Sequence, residues 1–399
     1  MRGLEAAVRE ALDRRLRRTG PPVAVGLSGG GDSLALTLMA DAWARDRDRE
    51  LVILTVDHRL QPDSAGWTAG CAEVAARLGR RFLALGWEGD KPTTGLPAAA
   101  RAARHRLLAD AARQAGARVL LMGHTTDDVA EATTMRRAGS TTPDPRQWAP
   151  SPVWPEGRGI FVFRPLLDVG RAELRGWLVD RGETWVDDPA NADLRFARSR
   201  ARLSGVAPVS RQEPEPLCLA GQVREFAGML AIDRRRLQAA TPDDARRFVA
   251  LAAVCAGGGD RLPAGARVQR LSAALQGDAP VLATLAGARV EGDRVEARFF
   301  REAGEFARGG LGPLQPPGVW DGRFEFESGG EVRRLAGLLR RLPDDQQMAL
   351  RACAPAARPA LPAVVGPDGG VTCPALMGVE SLVGERLRAA AGLVQREPA

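Results

Sequence analysis

Val23-Ala24-Val25-Gly26-Leu27-Ser28-Gly29-Gly30-Gly31-Asp32-Ser33-Leu34-Ala35-Leu36 passes from one apolar run, through three consecutive glycines, into another. The first run predicts a short strand buried on both faces, as in a parallel sheet, and the second predicts a helix. Between them, residues without Cβ atoms let backbone amides approach an anion closely. Those amides open a helix, where partial positive charge favours phosphate. A Walker A loop would follow its last glycine with Lys and then Ser or Thr, whereas Asp32 and Ser33 stand here. The loop is therefore not that of a kinase or GTPase. A plain glycine-rich strand-to-helix turn is the competing reading.

Outward from this loop, strands alternate with helices. The run at 51–56 predicts a second buried strand leading into Asp57-His58, 81–85 a third, and 119–122 a fourth leading to Gly123-His124, with a helix over 98–114. This rhythm predicts an α/β fold built on a doubly wound parallel sheet, whose ligands bind at the carboxyl ends of strands. Ser28, Asp57 and His124 fall at such ends. Gly123-His124-Thr125-Thr126-Asp127-Asp128-Val129-Ala130-Glu131 then opens a helix, and its spacing puts Asp128 and Glu131 on one face. Neighbouring carboxylates beside a phosphate loop would repel a nucleotide unless they neutralise a metal or an ammonium group, which points to a cationic substrate. Helix capping is the alternative, because acids in a first turn stabilise the dipole by about 0.3–1 kcal/mol each.

At 399 residues the chain is long enough for two or three domains. Hydrophobic residues make up 45% and no apolar run approaches a membrane span, so a soluble, cytoplasmic protein with no membrane partner is expected. Leu4, Val8, Leu12 and Leu16 recur at helical spacing among charged residues, which predicts an N-terminal packing helix and no signal peptide. The net charge of +7 suggests a polyanionic partner. Part of that balance is compositional: Lys91 is the only lysine, Asn191 the only asparagine and tyrosine is absent, the pattern of a GC-rich coding sequence. Cys71, Cys218, Cys255, Cys353 and Cys373 form no Cys-x-x-Cys pair, which argues against a zinc ribbon, an iron–sulfur site or a disulfide framework.

Ser-Gly-Gly-Gly-Asp-Ser at 28–33 resembles the pyrophosphate loop of the PP-loop ATP pyrophosphatase superfamily, of adenine nucleotide α-hydrolase-like fold. Members cleave ATP between the α and β phosphates and adenylate a substrate oxygen. The resemblance implies that ATP is bound by Ser28, Gly29, Gly30, Gly31 and Ser33, that Asp32 holds magnesium, and that Asp57, His58 and His124 lie around the nucleotide. Arg164-Pro165-Leu166-Leu167 and Trp185-Val186-Asp187-Asp188-Pro189-Ala190-Asn191 extend the likeness, and the series in this order resembles the tRNA(Ile)-lysidine synthetase family. That family joins the ε-amino group of free L-lysine to C2 of the wobble cytidine in the isoleucine tRNA with a CAU anticodon. ATP first adenylates the C2 oxygen, and lysine then displaces AMP.

Carried onto this sequence, the resemblance makes Asp32, Asp128 and Glu131 catalytic, with Asp128 and Glu131 binding lysine. Arg101, Arg104, Arg164, Arg171, Arg198, Arg200 and Arg202 take the positions of tRNA contacts, and Arg195 belongs to the same arginine-rich tail. Self-association into a homodimer stays open. The helix bearing Arg101 and Arg104 resembles the family's Ala-Arg-x-x-Arg-Tyr pattern, with His105 in place of Tyr and Pro97 in place of an upstream Glu. The stretch between Glu131 and Ser140 is one residue short of the family pattern. A PP-loop tRNA thiolase is the nearest rival, but Cys71 is the only cysteine in this half, where paired cysteines are expected. A PP-loop amidotransferase partner and a non-catalytic RNA-binding protein of PP-loop fold are more distant.

These readings divide the chain into a catalytic domain at 1–204, a Pro- and Glu-containing linker at 205–216, a mostly helical middle region at 217–308 and a small mixed C-terminal tRNA-binding or packing region at 309–399. Thr241-Pro242 signals a helix start, and the alternation around Gly292-Asp293 signals a hairpin. A helix is expected over 330–342. The segment 141–155, with Trp148 and Trp154, is expected as a surface loop near RNA.

Overall fold

The computed structural model describes residues 2–140, 145–187, 197–203, 214–263, 265–305 and 310–398, without the side chains of residues 2, 197, 198 and 203. Asp188 to Asn191, Arg195, the Arg198 side chain and most of the expected linker lie outside the described residues. The chain forms two compact units, one of Met1–Val153, Ile160–Pro214 and Val394–Ala399, the other of Trp154–Gly159 and Glu215–Leu393.

In the first unit the order is α1 (Arg2–Arg15), β1 (Val23–Gly26), α2 (Gly31–Arg45), β2 (Leu51–Asp57), α3 (Ser64–Leu78), β3 (Arg81–Gly86), α4 (Leu96–Gln114), β4 (Val119–Met122), α5 (Thr126–Arg137), β5 (Trp148–Pro150), β6 (Phe161–Phe163), α6 (Arg171–Val179) and α7 (Ala197–Leu203). The strands make one sheet in the order β3-β2-β1-β4-β6-β5, parallel throughout except for β5 against β6. Helices cover the sheet, so the central strands are apolar from end to end: Val23, Ala24, Val25, Val52, Ile53 and Leu54 are all fully buried. Gly26 stands opposite Leu54 on one side and Met122 on the other. Strand order reverses at β1, and such a reversal opens a crevice at the carboxyl ends of β1 and β4. Pro97 sits in the first turn of α4, where its missing N–H costs nothing. That accounts for the departure at this position as a helix start.

Trp148 and Trp154 are buried rather than displayed on a loop. Trp148 stacks on Phe161 at 4.8 Å between ring centres, and its Nε1 donates to the Val394 carbonyl at 2.7 Å. The last described residues thus belong to the first unit. Glu397 accepts from the Arg49 guanidinium through both carboxylate oxygens, at 2.8 and 2.9 Å, and from the Arg17 backbone N–H at 2.9 Å. Both side chains of this pair are buried, Arg49 at 1% and Glu397 at 0% exposure.

The second unit has two apolar cores. Around the first, β7 (Arg224–Phe226), β8 (Met229–Asp233), β9 (Val281–Leu285), β10 (Ala288–Gly292) and β11 (Glu296–Arg301) form an antiparallel sheet in the order β7-β8-β11-β10-β9. It is packed by α8 (Arg234–Ala239), α9 (Pro242–Ala256) and α10 (Ala266–Gln276). Thr241 caps α9, accepting from Asp244 N, and β10 and β11 form the hairpin expected at Gly292-Asp293. The helices expected over 217–276 are interrupted by the β7–β8 hairpin, whose turn residues Ala227 and Gly228 both have positive φ. Around the second core lie β12 (Gly318–Trp320), β13 (Phe324–Phe326), β14 (Glu331–Arg334), α11 (Asp344–Ala349), β15 (Pro362–Val365) and β16 (Val371–Thr372), while α12 (Leu382–Ala390) returns to the first. The helix expected over 330–342 is instead strand β14, paired with β15, followed by a short 3-10 turn at Leu339–Arg341. Val332 and Leu335 are both fully buried, which mimics helical spacing, but Gly337 at φ +80° ends any regular run.

Candidate active site

The glycine loop lies where β1 meets α2. Gly29 has φ +83°, which suits glycine alone among the residue types at little cost. Gly30 is the residue before the helix, and among the described residues no side chain caps α2. Its first-turn amides are therefore open to an anion. The loop holds its own shape: Ser33 Oγ donates to the Gly30 carbonyl at 2.8 Å and accepts from the Ser28 backbone N–H at 3.1 Å, and Ser28 Oγ lies 3.1 Å from Ser33 Oγ. Trp185-Val186, part of the likeness in sequence but given no role there, is its outer brace. Val186 N donates to the Gly29 carbonyl at 2.9 Å, and the Trp185 ring lies against Gly31 so closely that a Cβ there would meet it at 3.3 Å. Gly123 is equally constrained, because a Cβ would lie 2.9 Å from the Asp32 carbonyl oxygen. Glycine is thus required where β4 passes the phosphate loop.

At the same end of the sheet Asp32, Asp128 and Glu131 converge on one guanidinium. Arg171 Nε is 3.0 Å from Asp32 Oδ2, its Nη1 3.2 Å from Glu131 Oε1, and its Nη2 3.5 Å from Asp128 Oδ1. Arg202 Nε reaches the same Glu131 oxygen at 2.8 Å. Asp128 also caps its helix, its Oδ2 accepting from Thr125 N at 2.7 Å and from Thr125 Oγ1 at 3.2 Å. Asp128 therefore caps its helix through one carboxylate oxygen and faces the Arg171 guanidinium with the other. Burial pushes the Asp32 carboxyl above its usual range, with the Asp128 charge adding to it and Arg171 offsetting part. Burial works against the Arg171 charge, but Asp128, Asp32 and Glu131 outweigh it and raise the guanidinium pKa. The arrangement is a cation-holding site beside a phosphate loop.

Arg164 is buried, its Nε donating to His124 Nδ1 at 3.1 Å and its Nη1 to the Arg146 carbonyl at 2.8 Å. Of the arginines expected to meet tRNA, Arg164, Arg171 and Arg202 are thus engaged inside this site, Arg101 and Arg104 are half-buried on α4, and Arg200 is exposed. His105 is buried among them, and among the described residues neither ring nitrogen has a hydrogen-bond partner. Burial, then Arg104, Arg101, Arg164 and His124, hold it well below the usual histidine range and hence neutral. Asp57 and His58 stand at the end of β2: Asp57 Oδ1 accepts from Arg59 N at 2.8 Å, and His58 meets the Trp87 ring edge-on at 6.1 Å. Burial and Arg104 lower the His58 pKa. Cys71 lies beneath the loop with its thiol toward the Leu27 carbonyl, and burial raises its pKa. It is therefore a poor nucleophile. Among the described residues no three His, Cys, Asp or Glu side chains are placed to hold a metal ion.

Residues 4–208 match the PP-loop domain family. Across the whole chain, the tRNA(Ile)-lysidine synthase of Caulobacter vibrioides is 48% identical over 98% of each sequence. That of Brucella ovis is 36% identical over 79% of this chain and 76% of its own. Among solved structures, a U34-tRNA thiolase from Methanococcus maripaludis aligns at 18% identity over 51% of this chain and 70% of its own, with a TM-score of 0.43.

Proposed function

The chain belongs to the tRNA(Ile)-lysidine synthase family, and from that premise we propose that it is the ATP-dependent ligase that joins L-lysine to C2 of the wobble cytidine of isoleucine tRNA. In the first step the C2 oxygen attacks the α-phosphorus and pyrophosphate leaves. In the second, a lysine amine attacks C2, the C2–O bond breaks, AMP departs and the amine proton is lost to a base. The observation that carries this reading is the convergence of Asp32, Asp128 and Glu131 beside the glycine loop. The loop amides and the Ser28 and Ser33 hydroxyls hold the leaving pyrophosphate, while Asp128 and Glu131 hold an ammonium group of lysine.

A single carboxylate at the loop fits magnesium, which binds through one or two protein carboxylates and fills its other positions with phosphate oxygens and water. Asp32 would be that carboxylate, and the ion would supply charge stabilisation for the departing pyrophosphate. Incubation with isoleucine tRNA, ATP and labelled lysine, followed by nucleoside analysis, tests the proposal. A labelled modified cytidine is expected, and transfer of sulfur or no lysine-dependent product would defeat it.

Two further results are expected. Asp128→Asn and Glu131→Gln keep shape but remove charge, so each raises the lysine KM by about 10- to 100-fold, the equivalent of one lost hydrogen bond to a charged group. Adenylated tRNA should still form in both. Because the Asn amide oxygen can still accept from Thr125 N, the α5 cap survives in Asp128→Asn, whereas Glu131→Gln removes a charge shared by Arg171 and Arg202 and should melt lower. Normal lysine dependence in both would reduce the pair to structural acids. Affinity for tRNA should also drop about a hundredfold between ~50 and ~200 mM salt, as about four neutralised phosphates require. A flat salt profile from filter binding would remove the arginines from phosphate recognition.

A further inference from the structure

We propose that Arg171 sets the lysine requirement: its guanidinium is a built-in competitor for the carboxylates that receive the substrate's ammonium group, and it leaves them when lysine binds. This rests on the functional reading above. Three acids from two helices, Asp32 on α2 and Asp128 and Glu131 on α5, share this one side chain from α6.

The contacts have the geometry of an exchangeable ligand. Single arginine contacts elsewhere in the unit are shorter, as in Arg80 to Asp41 at 2.6 Å and Arg175 to Asp187 at 2.7 Å, and two arginines grip with both prongs: Arg77 meets Glu183 at 2.7 and 2.7 Å, and Arg49 meets Glu397 at 2.8 and 2.9 Å. Arg171 makes one contact to each acid, at 3.0, 3.2 and 3.5 Å, all longer than the usual charge-assisted hydrogen bond. Its backbone, by contrast, is pinned, because Arg171 N donates to Asp127 Oδ2 at 2.8 Å. The side chain can therefore swing about a fixed root. An ammonium group is more compact than a guanidinium and carries three donors, so it can sit between Asp128 and Glu131. That place is filled by the Arg171 Nη1 and Nη2 atoms, so entry of the ammonium group requires exit of the Arg171 side chain, while Arg202 keeps its own contact to Glu131 at 2.8 Å. A ligand that cannot place an ammonium group between Asp128 and Glu131 lacks the charge to evict the guanidinium, and Arg171 thereby adds discrimination to affinity.

A ligand that binds only the vacated state has its apparent affinity reduced by the fraction of molecules in that state. Arg171→Gln and Arg171→Ala remove the competitor. At saturating isoleucine tRNA and ATP each should lower the lysine KM by about tenfold, as expected if about nine molecules in ten hold Arg171 in place. Lysine should also raise the melting temperature of these variants more than that of the wild type. In the wild-type protein, the Nε–H resonance absent from a spectrum of Arg171→Lys should move on addition of lysine without tRNA, a readout that does not depend on the neutral variants folding. A lysine KM that is unchanged or raised in both variants, or an Arg171 resonance indifferent to lysine, overturns the proposal. If the wild type itself forms no lysine-dependent product, the functional reading fails instead.

Discussion

Asp32→Ala is expected to lower tRNA-dependent AMP release by about 10²- to 10³-fold, the usual loss when a group aimed at developing transition-state charge is removed. Asp32 is the acid at the first turn of α2, beside the Ser28 and Ser33 hydroxyls and the amides of the glycine loop. It is also the least buried of the three acids, with 20% of its side chain exposed against 8% and 4% for Asp128 and Glu131, so its loss should disturb packing least. Arg171 keeps Asp128 and Glu131 as partners in the variant, and affinity for tRNA should stay within about twofold because phosphate contacts elsewhere set it. The measurement is pyrophosphate and AMP release at saturating tRNA, with binding followed separately. Wild-type AMP release in the variant would remove Asp32 from the chemistry.

Glu397→Ala is expected to destabilise the first unit by about 3–5 kcal/mol, the cost of leaving one member of a buried ion pair without its partner. Arg49 would keep its hydrogen bond to the Arg17 carbonyl at 2.7 Å, which moderates the loss without neutralising the charge. A double replacement, Arg49→Met with Glu397→Leu, should recover much of the stability, since apolar pairs often substitute for buried ions at little cost. Urea unfolding followed by tryptophan fluorescence reports it, Trp43 lying beside Arg49 with 5.6 Å between ring and guanidinium. A shift below about 1 kcal/mol would class the contact with surface pairs.

What the sequence disclosed was local. The phosphate loop, the strand ends at Asp57 and His124, the Thr241 cap and the Gly292-Asp293 hairpin are each specified by residues a few positions apart, and spacing rules read such signals directly. The facing of Asp128 and Glu131 was legible for the same reason. Their joint partner was not, because Arg171 is brought to Asp32 across 139 positions by the order of strands in the sheet. Arginine was the hardest residue to read. Arg301 and Arg323 enter the net charge of +7, yet both are buried and share Asp321, at 3.1 and 2.7 Å. Arg234 is wholly buried too, donating to the Leu275 and Ala274 carbonyls at the end of α10. Charge counted along a chain cannot distinguish a guanidinium that closes a helix end from one offered to phosphate. The strand at Glu331–Arg334 was misread because its partner, Pro362–Val365, lies beyond the reach of any local pattern.

The pairing of Arg49 with Glu397 also fixes an order of events during synthesis. Arg49 is made early and Glu397 only after all of 215–393 has been translated. Domains generally fold as they emerge, the N-terminal one first. Here the nucleotide-binding unit emerges with an interior cation still lacking its counter-ion, and it stays unfinished until the other unit has been made. Loss of Glu397 would accordingly be felt in the half of the chain made first, far from it in sequence.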